Sequence, residues 1–554
     1  MILRKKITKD LIYLLVLACC SLFFFFFRLG SYGLLEPDEG RYSEIPREMV
    51  ETGNFIVPHL NYVKYFEKPV LQYWMTAICF KVLGQNEFAS RFVAAFFALL
   101  GVLVLYFLGR RMFGQAVGFL AGLLLVTSFE YFALSRILVL DMTLNFFISL
   151  SLALFYFGFT SHKRSGLYYH LSYVAMALGS LVKGPISLIF PLGIIFLFFI
   201  LTNNFKAIKN IRLFSGLGLL LLVAGPWYFL VCLKDDKFFN FFFIHEHVLR
   251  FLTKTHGREG GFFYFFPILL VGFFPWIVYF PLSIVRYIRF KNYKENDSKI
   301  IFLLIWFFLI FTFFSISSSK LPAYIILVYF PLALLTAKLI YDYLKEDDQA
   351  LGTLFQYGGY LLLLLIVGFS VGIYVAVIKD PDLSGAHYDS KKMIGYLLIS
   401  FILLLITLLK RKRYYFIGVQ FLMISSVLAQ VIITLPKVES FRSVRQLGLI
   451  IKELKKTGDK IICYKDYLQS IPFYTGERTI IIGWKGELEF GFKNTSTEGF
   501  FFEQDQAIYD FLKGKQRIFC IASGDNWKII KETHPGPLYK LGSVNRFTLF
   551  SNQE

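Results

Sequence analysis

Two short stretches near the start of the chain put acids, bases and aromatic hydroxyls at close spacing. In Glu36-Pro37-Asp38-Glu39-Gly40-Arg41-Tyr42, carboxylates precede an arginine and a tyrosine; in Tyr65-Phe66-Glu67-Lys68-Pro69, a carboxylate and an ammonium lie just ahead of a helix start. The free N–H groups and positive dipole end of a helix N-terminus attract anions, and a neighbouring lysine strengthens the attraction. Simpler roles fit the same spacing. An aspartate at a helix start is a cap worth ~1 kcal/mol, and a Glu-Lys pair on an interfacial helix is ordinarily solvated.

Further along, His245-Glu246-His247-Val248-Leu249-Arg250-Phe251 and His256 place three of the chain's eight histidines within twelve positions. They are a supply of ligands for a divalent cation, although at no standard zinc spacing. Arg136 and Asp141 in SRILVLDMTLNFF, Lys183 in LVKGP and Lys320 in SSSKLPAY fall at the ends of apolar segments, where a charge needs a purpose or a partner. A lysine there snorkels to the headgroups. Asp141 is too short to do so and is expected to pair or bind.

A membrane must position these residues. The 554 residues have a mean hydropathy of +0.58 and are 56% hydrophobic, too apolar for a chain whose whole surface meets water. Apolar runs of roughly 17 to 25 residues, the length of a membrane-crossing helix, predict about thirteen spans. These are Leu11–Phe27, Phe92–Gly109, Ala116–Ala133, Asp141–Thr160, Leu167–Val182, Pro185–Leu201, Leu213–Leu233, Phe262–Tyr287, Ile300–Ser317, Leu321–Tyr341, Leu354–Ile378, Met393–Leu409 and Tyr415–Leu435. The net charge of +20 does not point to nucleic acid, because basic residues cluster in short turns between spans: Arg110-Arg111, Lys206 to Arg212, Lys410 to Arg413. With Arg4, Lys5, Lys6 and Lys9 ahead of the first span, the positive-inside rule sets the N-terminus in the cytoplasm. An odd number of spans then leaves the tail outside. Arg28-Leu29-Gly30 offers no small-x-small cleavage signature, so the first helix is expected to be retained.

Residues 1–435 therefore read as a transmembrane domain, with a first outer loop at 28–91, and 436–554 as a soluble domain. In the loop, Pro37 can start a helix at Asp38, Ile45-Pro46 should break or kink it, and Pro69 starts a second helix. Val70, Leu71, Trp74, Met75, Ile78 and Phe80 give that second helix an apolar stripe suited to the headgroup region. The tail alternates β-rich and helical runs, Lys460–Tyr464, Tyr467–Tyr474, Arg478–Gly483, Gln504–Leu512, Gln516–Ala522 and Arg546–Phe550, which predicts a small α/β layer domain without a phosphate loop. Cys463 and Cys520 are expected as strand-core thiols.

EPDEGRYSEIPREMVETGNFIVPHLNYVKYFEKPVLQYW closely resembles the first periplasmic loop of the bacterial 4-amino-4-deoxy-L-arabinose (aminoarabinose) lipid A transferases and their relatives, the protein O-mannosyltransferases. The resemblance continues through SRILVLDMTL, LVKGPI, EHVLRF, GFFPW and SKLPAYIILVYFPLALL to about Pro331; Gly40 stands where a threonine is common. It implies a type C glycosyltransferase fold, all-α in the membrane with an α/β periplasmic domain, in the bacterial inner membrane. It also implies a sugar donor carried on undecaprenyl phosphate, lipid A phosphate as acceptor, inversion at the sugar carbon, and no partner subunit, a monomer being expected. Asp38 would be the catalytic or orienting acid, with Asp141 and Lys68 beside it. Glu39, Arg41, Tyr42, Tyr65, Lys183, Arg250, Lys320 and Tyr324 would bind substrate. Glu67 with His247, or else His256, would hold a divalent metal, zinc first. The same fold acting on a protein hydroxyl or another envelope glycan is the alternative, and a lipid flippase or transporter the rival from another class.

Overall fold

The computed structural model describes residues 2–161, 163–249, 260–289, 297–380 and 383–554. They form two compact units: Met1–Arg28, Ala94–Asp380 and His387–Ile433 in the first, Leu29–Val93, Pro381–Ala386 and Thr434–Glu554 in the second.

Among the described residues nine helices are long and apolar enough to cross a bilayer, from Thr8–Phe26 to Arg413–Phe441. Each falls on one of the thirteen expected spans. The remaining four expected spans are helical but shorter, more polar or broken. Gln115–Val126 and Phe129–Ser135 meet at 67°. At that break the Thr127 and Ser128 hydroxyls turn back to the carbonyls of Leu123 and Leu124, each at 2.7 Å, as hydroxyls do when they compete with the helix ladder. Phe262–Tyr287 is two short helices, Phe262–Gly272 and Trp276–Ile288, with Pro275, which has no N–H to give, between them. The two breaks are tied together, since the Trp276 indole donates to Thr127 Oγ1 at 3.0 Å.

Phe214, Leu222 and Leu364 in the first unit are 89%, 70% and 68% exposed. Apolar surface of this kind, repeated along helix after helix, is covered by lipid rather than water. Arg136 has the purpose its position demanded. Its guanidinium donates to the carbonyls of Phe24, Phe25 and Phe27 at 2.9, 3.3 and 3.0 Å, satisfying the end of the first helix.

The second unit is built on a six-stranded sheet of β3 (Lys460–Tyr464), β4 (Ile480–Ile482), β5 (Phe501–Phe502), β6 (Ile518–Ser523), β7 (Tyr539–Val544) and β8 (Phe547–Ser551), in the order β5-β4-β3-β6-β8-β7. β3 runs parallel to β4 and β6, and β8 is antiparallel to β6 and β7. Ile462, Ile480, Ile482, Ile518, Cys520 and Phe550 make its core, and Cys463 and Cys520 are free, buried thiols on β3 and β6.

Residues 29–93 pack within this same unit. They contain the helix Asp38–Thr52, a hairpin of β1 (His59–Leu60) and β2 (Val63–Lys64), and the helix Leu71–Leu83. The expected break at Pro46 does not occur, and the helix runs through it. Every residue from Glu39 to Met49 is buried, so packing on all sides outweighs the ~3 kcal/mol that an interior proline costs. In the second helix Gln72, Tyr73, Thr76, Ala77 and Phe80 face protein, while Ile78 and Val82 are 61% and 76% exposed. The apolar stripe is thus partly the face that protein leaves open, at Leu71, Trp74, Met75 and Ile78, while Val70 and Phe80 are buried.

Candidate active site

Asp38 stands at the first position of the helix Asp38–Thr52, and half of its side chain is exposed. Its Oδ1 lies 3.2 Å from Arg41 Nη1, one turn on. The other side of the Arg41 guanidinium is gripped by Glu487, with Nε to Oε1 at 2.9 Å and Nη2 to Oε2 at 2.6 Å. Gln469 Nε2 donates to the same Glu487 Oε1 at 2.8 Å. Burial works against charge on Arg41, but Tyr65, Glu487, Tyr42 and Asp38 around it hold its pKa well above the usual arginine value. Burial pushes Glu487 up, opposed by Arg41 and reinforced by Glu67. Arg41 is therefore a fixed positive charge that orients the half-exposed Asp38.

The hydroxyl of buried Tyr65 donates to Glu67 Oε2 at 3.1 Å, and Lys68 Nζ donates to the Glu67 carbonyl at 2.8 Å. Tyr42 is buried against the Tyr73 ring, with centroids 6.2 Å apart. Asp38, Arg41, Tyr42, Tyr65 and Glu67 are thus brought together, with Lys68 ahead of the helix Leu71–Leu83 as expected.

Glu39 and Glu36 turn inward. Glu39 is fully buried in a two-pronged pair with Arg91 at 2.8 and 2.7 Å. Arg91 spends its remaining donors on the carbonyls of Leu29, Tyr32 and Gly33, at 2.8 to 3.0 Å. Glu39, expected among the substrate-binding residues, has the surroundings of a structural ion pair. Glu36 accepts from the backbone N–H of Gln469 and Ser470, at 3.1 and 2.9 Å, and from the Ser470 hydroxyl. Burial raises its pKa to about 7 against the pull of those hydrogen bonds.

In the first unit, Asp141 pairs with Lys183 at 2.6 Å, as its short side chain at an apolar edge required. Lys183 Nζ also lies 4.7 Å from the centre of the Tyr324 ring. Lys320 is 5% exposed and donates to the Ser317 carbonyl at 2.6 Å; burial lowers its pKa. Arg250 and His256 lie outside the described residues, and so does the side chain of His247.

The expected divalent metal finds no support. Among the described residues no three His, Cys, Asp or Glu side chains converge as a metal site. Of the proposed set only the Glu67 side chain is described, and Tyr65 already donates to it. No step is assigned to a metal.

A family model for dolichyl-phosphate-mannose-protein mannosyltransferase matches residues 67–229. An undecaprenyl phosphate-alpha-4-amino-4-deoxy-L-arabinose arabinosyl transferase of Pseudomonas fluorescens is 34% identical over 355 residues, 62% of this chain and 63% of that protein. Its counterpart in Photorhabdus laumondii is 31% identical over 325 residues, 57% of each. The chain is a relative of these transferases. It spans about 60% of the length of the relatives it matches. The crystal structure of ArnT from Cupriavidus metallidurans bound to undecaprenyl phosphate superimposes with a TM-score of 0.81 over 97% of both chains, at 23% identity. An archaeal oligosaccharyltransferase from Archaeoglobus fulgidus gives 0.53 over 93% of this chain and 69% of that one, at 14% identity. The fold of this transferase relative is that of the type C glycosyltransferases.

Glu487 and Gln469 were not foreseen from sequence. Glu487 lies in WKGELEF, outside every expected run, and Gln469 lies within the expected run Tyr467–Tyr474, where it had no sign of a special role. Arg91 was visible only as the end of a loop. Arg47 pairs with Glu44 at 2.6 Å and Glu51 at 2.5 Å, pairs one turn apart, the first of which the expected break at Pro46 would have interrupted.

Proposed function

We propose that this chain is an integral-membrane glycosyltransferase that moves a sugar, 4-amino-4-deoxy-L-arabinose, from undecaprenyl phosphate to a lipid A phosphate. The observation that carries this reading is a half-exposed Asp38, oriented by a buried Arg41, in a chain related to aminoarabinose transferases. The positive-inside distribution of basic turns supports an inner-membrane protein with a cytoplasmic N-terminus and chemistry on the periplasmic side.

The donor is a glycosyl phosphodiester. The acceptor oxygen forms a bond to the sugar carbon as the bond from that carbon to the carrier phosphate breaks, with inversion, and the departing polyprenyl phosphate takes the electron pair. Lys68 in the second unit, or Lys183 or Lys320 in the first, is a cation suited to binding that phosphate and stabilising its growing charge. Arg41 is engaged with Glu487 and Asp38 and serves to hold Asp38. A lipid A phosphate is already anionic and needs no base, so Asp38 then orients the acceptor's surroundings or binds the ammonium of the amino sugar. With an alcohol acceptor, Asp38 takes the proton.

The match to the protein mannosyltransferase model favours a second reading, transfer of a lipid-linked sugar to a protein hydroxyl. Purified protein in detergent, given defined polyprenyl-phosphate sugars with lipid A or with a serine-rich peptide, separates the two. The expected result is a pentosamine mass added to lipid A, reduced roughly 10- to 150-fold by Asp38→Asn, the worth of one charge-assisted contact. Addition to the peptide alone refutes the lipid A assignment. Transport of intact donor across vesicles without any transfer refutes the enzyme.

A further inference from the structure

We propose that Glu487, in the soluble domain, is a positioning residue for Asp38: it holds Arg41 from behind, and Arg41 holds Asp38. The proposal rests on the transferase reading above and assigns a part in that reaction to the sheet domain.

Gln469 lies in the connection that follows β3, and Glu487 in the turn that follows β4. Both belong to loops leaving the carboxyl ends of adjacent parallel strands, the edge at which open α/β sheets commonly bind ligands. Here that edge grips the start of the helix Asp38–Thr52. Glu487 meets Arg41 through two hydrogen bonds and is itself braced by Gln469, while Glu36 seals the same contact on the Gln469 and Ser470 backbone. A two-pronged carboxylate–guanidinium pair fixes orientation as well as distance, and the Arg41 side chain is only 6% exposed. The fit is close. A Cβ on Gly40 would lie 2.6 Å from Ser470 N and 3.0 Å from the Gln469 carbonyl carbon, both backbone atoms. Glycine in a helix interior costs ~1 kcal/mol relative to alanine, and this approach gives that cost a structural reason.

The test is Glu487→Gln in the full-length protein, read two ways. Hydrogen exchange of a peptide spanning Pro37 to Tyr42 is expected to speed up while the sheet core is unchanged. The kcat of sugar transfer is expected to fall about 100-fold, with the KM for donor within about twofold of wild type. Gly40→Ala, which forces the helix off the loop, should reproduce both effects. Unchanged exchange at Pro37–Tyr42 in Glu487→Gln overturns the proposal whatever the activity. Faster exchange with an undiminished kcat overturns it too. A wild-type protein inactive with every donor sinks the transferase reading, and this role in the reaction with it; exchange then reports only the contact.

Discussion

Arg91→Met isolates the ion pair that organises residues 29–39. Arg91 and Glu39 are both fully buried, and the guanidinium donates five hydrogen bonds, two to Glu39 and one each to three backbone carbonyls, with Nη1 and Nη2 giving two apiece. Its charged plane also lies 3.8 Å from the centre of the Tyr32 ring. Methionine keeps much of the side-chain volume and removes all five bonds. An uncompensated buried carboxylate costs about 3–5 kcal/mol, which at about 2–4 °C per kcal/mol for a unit of this size lowers the unfolding midpoint by roughly 6–20 °C. Thermal unfolding of the full-length protein in detergent reads the shift, and faster hydrogen exchange over residues 29–41 localises it. Glu39→Met added to Arg91→Met removes the stranded charge, so the pair should be less harmful than the sum of the singles by about 2 kcal/mol or more. If Arg91→Met melts within about 2 °C of wild type, the reasoning fails. If Glu39→Gln leaves stability intact and raises the KM for substrate, Glu39 is a binding residue after all.

Glu36 should impose a pH dependence of its own. Its carboxyl is raised to about 7 in the folded protein by burial and is near 4.3 in the unfolded chain. The folded state therefore holds the extra proton between those values, and this contribution to stability is present in full below about pH 4 and is lost as pH rises toward 7. The size is at most ~3–4 kcal/mol; Glu36→Gln should flatten the fall in unfolding midpoint from pH 5 to 7.5, and an unaltered slope refutes the assignment. For Lys183, removing a charge-assisted contact worth about 1.5–3 kcal/mol predicts that Lys183→Gln raises the donor KM roughly 10- to 150-fold, and because Asp141 loses the partner 2.6 Å away the unfolding midpoint should fall as well. Unchanged KM would mean that Lys183 serves only Asp141.

Where the sequence was legible, a strong local pattern was present. Apolar runs bounded by basic turns marked the spans, because a bilayer imposes length and charge rules that hold one segment at a time. The failures lie where neighbours decide. Thr127-Ser128 and Phe274-Pro275 break two spans whose hydropathy is continuous, and the Trp276 indole that joins the breaks is 149 positions from Thr127. Pro46 carries a breaker's signature in a helix that survives because protein encloses it. In the tail, the runs at Lys460–Tyr464 and Gln516–Ala522 stood out as isoleucine-rich core strands, whereas β5 is a two-residue edge and β7 has little buried surface to mark it.

The candidate site divides in the same way. Asp38, Arg41, Tyr65 and Glu67 could be chosen because the resemblance of their loop to a known family gave roles to residues whose spacing also fits caps and solvated pairs, and Asp141 because a short acid at an apolar edge must pair. Glu487 could not, since the bond that matters crosses 446 positions and a glutamate in a polar turn has no local oddity. Gly40 is the exception that points toward it. Read alone it signals only a weaker helix; the backbone of Gln469 and Ser470 pressed against its Cα supplies the reason. A glycine that weakens a helix beside a candidate catalytic acid is thus a readable sign that another backbone passes close by, even when the sequence does not say which.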